Sequence, residues 1–199
     1  MDSKAPVPIQ AHHHGVQFYG SEQSLFTTVA GFLGEGLVIR QPAIVIATAA
    51  HRLAIETHLC GRLIDCAQAR RNGDLVMLDA EDMLGQFMVG DEPHADLFEQ
   101  NVGVIVKQVL DGRGRTIVRA YGEMVDVLWK RGRSEAAIKV EILWNRLADM
   151  YSFALLCGYA MGNFYKQPKQ LEDICALHTH VTGPDNVFPF DPTRIARSA

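Results

Sequence analysis

The sequence predicts an α/β protein: a three-layer fold with a mostly parallel sheet covered by helices on both faces. Three observations predict it. Short apolar runs such as Ala43-Ile44-Val45-Ile46-Ala47 have the composition of strands buried on both sides. Other segments repeat apolar residues every three or four positions, the period of an amphipathic helix. The two kinds of segment alternate along nearly the whole chain, which is the mark of βαβ units.

Each element follows in turn. Residues 1–13 are polar and Pro-containing and predict a flexible arm ahead of His14. Val16 to Tyr19 predicts the first strand. Leu25, Val29, Phe32, Leu33 and Leu37 predict a helix to Val38, loosened by Gly34 and Gly36 and stopped by Pro42. After the strand 43–47, residues His51 to Ile64 predict a second helix, and Asn72-Gly73 a turn. Leu75 to Leu78 reads as a buried strand, and Asp79 as the cap of a helix carrying Met83, Leu84, Phe87 and Met88. A loop with Pro93 leads to a helix near 95–110, ended by Gly112 and Gly114. Thr116 to Tyr121 predicts a strand, followed by helical spacing through Met124, Val125, Leu128 and Trp129. Ser134 is expected to cap the next helix, with Ala137, Val140, Trp144, Leu147 and Tyr151 on its apolar face. Phe153 to Cys157 predicts the fifth strand, Leu171 to His178 a last helix, and residues 182–199 a Pro-containing tail.

Composition narrows the function. A length of 199 residues suits one domain with a sizeable core. The formal net charge of −4 disfavours a general nucleic-acid surface, and Lys130-Arg131-Gly132-Arg133 reads as a solvated helix end. The sequence holds no signal-peptide pattern and no apolar run long enough to span a membrane, so the expected location is the cytoplasm. Cys60, Cys66, Cys157 and Cys175 have no CxxC spacing and are expected to be reduced thiols, Cys157 a buried one.

In open α/β sheets ligands bind outside the carboxyl ends of the strands. The first such end is Tyr19-Gly20-Ser21, where nucleotide-binding domains carry a phosphate loop. A Walker loop needs several glycines and a Lys-Ser/Thr pair; this turn has one glycine, no lysine and the acidic Glu22. Ser21 reads as a cap first and a ligand contact second. The other ends offer His51 and Arg52, Asp79, Tyr121 and Glu123, and Tyr159. His51 reads either as a site residue or as part of an exposed helix turn. Glu123 reads either as an acid near a metal or attacking water, or as a first-turn carboxylate facing a helix dipole. Glu141 and Asn145 share a helix face beside Trp144, which is either core or pocket wall. Cys175, His178 and His180, with the histidines of the arm, offer donors for a zinc or nickel site, without any recognised metal motif. No GxSxG, catalytic-cysteine or Rossmann glycine pattern is present, so no enzyme is expected.

Taken together and in order, several blocks are familiar. They are His14 with Val16-Gln17-Phe18-Tyr19; Ile44 to Thr48 with His51-Arg52; Arg119-Ala120-Tyr121-Gly122-Glu123-Met124-Val125 with Leu128-Trp129; Glu141-Ile142-Leu143-Trp144-Asn145; Phe153 to Tyr159; and Ile174-Cys175 with His178-Thr179-His180-Val181. Over roughly residues 14–181 the chain resembles the MEDS domain, the methanogen/methylotroph DcmR sensory domain. The resemblance implies a sensor on a RecA/KaiC-like, P-loop-NTPase-like frame whose phosphate loop is degenerate. It implies a histidine kinase or other regulatory protein as partner, as in family members fused to kinases or DNA-binding segments. The lost phosphate loop within an otherwise intact frame points to sensing of a small molecule at the strand carboxyl ends. The namesake regulates dichloromethane metabolism. The blocks mark His14, Tyr19, Glu123, Trp144, His178 and His180 as candidate positions, and Arg119 stands beside them as a candidate ligand contact. No kinase or helix-turn-helix is recognisable in this chain, which leaves a domain that acts alone, one that acts through a partner protein or a homo-oligomer, or an input domain excised from a longer chain; neither membrane nor direct nucleic-acid contact is expected. Neither the residues nor the resemblance names a cofactor. The alternatives are an interaction module without a small ligand and a residual nucleotide-binding pseudo-ATPase.

Overall fold

A computed structural model describes residues 13–164 and 168–183, so most of the expected arm and tail lies outside the described residues. Six strands form one sheet in the order β3-β2-β6-β7-β1-β8, every pairing parallel. These are β1 (His13–Tyr19), β2 (Ala43–Ala47), β3 (Leu75–Asp79), β6 (Val118–Gly122), β7 (Phe153–Ala160) and β8 (His180–Thr182). A separate two-strand ribbon joins β4 (Met88–Val89) to β5 (Glu92–Pro93).

Strand alternation sorts the core into two halves. Val16, Phe18, Ile44, Ile46, Ala120, Leu155, Cys157 and Tyr159 share one half with the later helices. Those helices are α4 (Ala80–Phe87), α5 (Ala95–Phe98), α6 (Val104–Leu110), α7 (Met124–Lys130), α8 (Ser134–Met150) and α9 (Pro168–Ala176). Tyr19, Val45, Ala47, Tyr121 and Leu156 share the other half with α1 (Glu22–Val38), α2 (Ala49–Gly61) and α3 (Cys66–Arg71). The three-layer α/β expectation therefore holds, because successive side chains of a strand point to opposite faces. No helix among the described residues is long and apolar enough to cross a membrane.

Several boundaries differ from the sequence reading, each for a local reason. β1 begins at His13, so His14 is a strand residue paired opposite Leu155. The second helix ends at Gly61; Leu63 takes φ 64°, and Asp65 caps the separate α3 by accepting from the Gln68 amide. A π-helical turn, Glu99–Gly103, sits inside the helix expected near 95–110. Ser134 is the first residue of α8 rather than its cap, a position held by Arg133. α9 stops at Ala176, so His178 lies in the turn that leads to β8. Asp79 does cap α4, accepting from the Glu81 and Asp82 amides while its other oxygen receives Arg52.

Candidate functional site

The structure divides the candidate residues between two places. At the carboxyl ends of the strands, Ser21 caps α1 by accepting from the Ser24 amide, with Tyr19 just before it. The loop after β6 places Glu123, which is almost fully buried. One of its carboxylate oxygens accepts from the Thr48 amide. The other is 2.6 Å from His51 Nδ1 and 3.2 Å from the Tyr121 hydroxyl. His51 is buried, so the exposed-turn reading does not apply; its Nε2 is 3.5 Å from Glu22. A second carboxylate, Asp126, accepts from the Tyr19 hydroxyl at 3.0 Å, the Ala160 amide and the Asn163 side chain, with Lys130 Nζ at 2.7 Å. Sequence reasoning passed over Asp126. Its signal was a lone acid inside the otherwise apolar Met124-Val125-Asp126-Val127-Leu128-Trp129.

These contacts have electrostatic consequences. The hydrogen bond to Glu123 raises the His51 pKa above its ordinary value; burial opposes it, and the charges of Glu123 and Glu22 add to the rise. Burial first, then the Asp126 carboxylate, pushes the Tyr19 hydroxyl far up. A histidine with a raised folded pKa stabilises the fold fully below its unfolded pKa of about 6.5, and that stabilisation is lost as pH rises through the folded value. The stability difference between the native chain and His51→Gln, read from urea midpoints, is thus expected to shrink as pH is taken upward from about 6.5. A difference constant across that range would show that the pair is not linked to the proton.

The second place lies under α8, against the first half of β1. His14 from β1, Glu141 from α8, Cys157 from β7 and His178 from the turn after α9 converge there. His14 Nε2 is 3.2 Å from Glu141 Oε2 and 3.4 Å from Cys157 Sγ. Cys157 Sγ is 3.3 Å from Glu141 Oε2, and His178 Nε2 is 3.5 Å from Glu141 Oε1. Both imidazoles are tethered on their far side: His14 Nδ1 to Asn145 Oδ1 at 2.8 Å, His178 Nδ1 to the Ile174 carbonyl at 2.7 Å. Asn145 Nδ2 donates to the Leu177 carbonyl, which aims its oxygen at His14. The Tyr159 hydroxyl donates to Glu141 Oε1.

Burial would raise the Glu141 carboxyl, but His178, His14 and Tyr159 outweigh it and bring its pKa down to about 2. Burial lowers His178 to about 4, so it is neutral at pH 7. Burial and the Glu141 charge push the Cys157 thiol well up.

A cavity of about 380 Å³ opens beside this group. Trp144, Phe153, Leu155, Leu177 and Ile142 give it apolar walls, and His13, His14, Asn145 and Thr179 supply polar groups. A more polar cavity of about 540 Å³ lies by Arg52, Glu56, Arg70 and Asp79. The remaining candidates stand apart. Arg119 lies near the start of β6, at the opposite end from Glu123, its guanidinium 5.2 Å over the Phe32 ring and bonded to Gln41. It crosses α1 at Gly36, where a Cβ would come within 2.6 Å of it. Cys175 is a buried thiol outside the four-residue group, and His180 is exposed against the His13 ring.

The ordered pattern of these residues matches one family model, the MEthanogen/methylotroph, DcmR Sensory domain, across residues 13–179. This chain belongs to the MEDS family. The match runs from β1 to the turn that carries His178, so all four converging residues of the MEDS domain fall inside it. No curated protein shows significant similarity to the chain. A sensory or regulatory role follows from the family.

Proposed function

We propose that this MEDS domain is a cytoplasmic sensor that binds a small organic molecule and passes the signal to a partner protein, such as a histidine kinase, without catalysis. The observation that carries this reading is the cavity beside His14 and Asn145. Its volume of about 380 Å³ falls in the range of roughly 300–1,000 Å³ typical of small-molecule sites. Its apolar walls with a few convergent polar groups suit a compact, weakly polar ligand. Three of the candidates picked out in the sequence, His14, Trp144 and Asn145, line it. The position is the amino end of β1 and β7, so the proposed ligand site moves away from the strand carboxyl ends. Leaving out hydrolysis is supported at Glu123, whose two oxygens are held by Thr48, His51 and Tyr121 of its own fold.

The test is thermal unfolding of the full chain against a panel of short alcohols, amines, halides and carboxylates. A ligand that binds only the folded state raises the melting temperature by mass action. At least one class is expected to do so, and Ile142→Trp, which fills the cavity from its partly exposed rim, is expected to abolish the rise. No rise with any class would sink the small-molecule reading and favour the interaction module.

A further inference from the structure

We propose that His14, Glu141, Cys157 and His178 form a four-ligand site for a zinc-class divalent cation. The argument starts from which atoms face one another. Asn145 is locked by Leu177, so its oxygen takes the proton of His14 Nδ1. In the neutral form of the ring, His14 Nε2 then bears a lone pair, and it points at a Glu141 oxygen 3.2 Å away. The Ile174 carbonyl likewise takes the proton of His178 Nδ1. His178 Nε2 is left as a buried atom without a hydrogen-bond partner, its side chain fully buried, and it faces the other Glu141 oxygen at 3.5 Å. Acceptors thus point at acceptors in a closed interior, an arrangement that costs free energy unless positive charge lies between them.

The spacing fits that charge. Donors at zinc distances of about 2.0–2.3 Å around a tetrahedron stand roughly 3.3–3.8 Å apart. The four donor atoms lie within 4.8 Å of one another. His14 Nε2, Glu141 Oε2 and Cys157 Sγ stand 3.2, 3.3 and 3.4 Å apart, and His178 Nε2 is 3.5 Å from the other Glu141 oxygen. Two imidazoles, a thiolate and a carboxylate select zinc, cobalt or a similar ion over calcium or magnesium. On binding, the Cys157 S–H bond breaks, its proton leaves to solvent, and the sulfur lone pair bonds the metal. One thiolate and one carboxylate then balance the double positive charge, which a buried site requires. The Asn145 and Ile174 contacts are the outer tethers that orient metal-bound histidines. With all four positions taken by protein, the site has the closed form of a structural or regulatory metal centre. It would tie the α9–β8 segment, through His178, to β1, α8 and β7.

The test is cobalt titration of the full chain, prepared without a histidine tag. One cobalt per chain is expected, with a thiolate-to-cobalt charge-transfer band and the strong visible bands of four-coordinate cobalt. Cys157→Ser is expected to lose the charge-transfer band, Cys175→Ser to keep it, and Asn145→Ala to weaken binding about 10–100-fold. If Cys157→Ser fails to fold, His178→Gln serves in its place, keeping the band with at least about tenfold weaker binding. The absence of stoichiometric binding by the native chain, or a band that survives in Cys157→Ser, would overturn the site. Ile142→Trp separates this centre from the cavity reading, because it should abolish organic-ligand binding and leave cobalt binding unchanged.

Discussion

Trp144→Ala is expected to destabilise the domain by about 3–5 kcal/mol, the usual cost of truncating a buried tryptophan. Trp144 is 1 % exposed and meets the Phe98 ring edge-on at 5.3 Å and the Phe153 ring at 5.8 Å. Alanine would remove the contacts of α8 to the α5 and β7 rings and open the wall of the cavity beside it. At roughly 2–4 °C per kcal/mol for a chain of this size, the melting temperature should fall by about 6–20 °C. Trp144→Phe, which keeps an aromatic ring, should cost much less. Urea unfolding checks both; a loss under about 1 kcal/mol for alanine would mean that the indole is pocket lining and not core.

A single methyl group at Gly158 should cost about 1–3 kcal/mol through overpacking. A Cβ there would lie 2.8 Å from the Tyr121 hydroxyl oxygen, 3.2 Å from its ring and 3.3 Å from Leu25. Tyr121 has little room to yield, because it is fully buried and its hydroxyl is bonded to Glu123. The strain should pass through Tyr121 into the Glu123–His51 pair. Combining Gly158→Ala with Tyr121→Phe, which removes the clashing oxygen, should therefore cost less than the sum of the two single changes. A strictly additive pair would show that the hydroxyl is not what the methyl meets.

The sheet was legible because parallel strands buried on both faces leave plain apolar runs, as at 43–47 and 153–157. The π-helical turn and the short β8 were not, since neither carries a period of its own. For the site, Glu141 and Asn145 could be picked out as polar residues on a helix face beside Trp144, His178 as a metal donor, and His14 from the family resemblance. Their assembly could not, because His14 and Cys157 are 143 positions apart and only the β1–β7 register joins them. Helical spacing suggested Cys175 as the partner of His178, but α9 ends before His178, and the turn carries its ring to Glu141 and His14. Cys157 looked like ordinary core from sequence, which it also is.

The place of β1 in the sheet has a consequence for how the chain is made. Among the described residues β1 is the first strand to be synthesised, yet its two neighbours, β7 and β8, are the last. β2 and β3 find each other across one short crossover and wait only for β6. A nascent chain thus carries an apolar strand without sheet partners until β7 has been translated. Pairing so distant in sequence is slow to form, and an unpaired strand edge invites aggregation meanwhile. The closing of β1 between β7 and β8 is the step that brings His14 to Cys157, so the candidate metal centre is assembled only when the fold is complete.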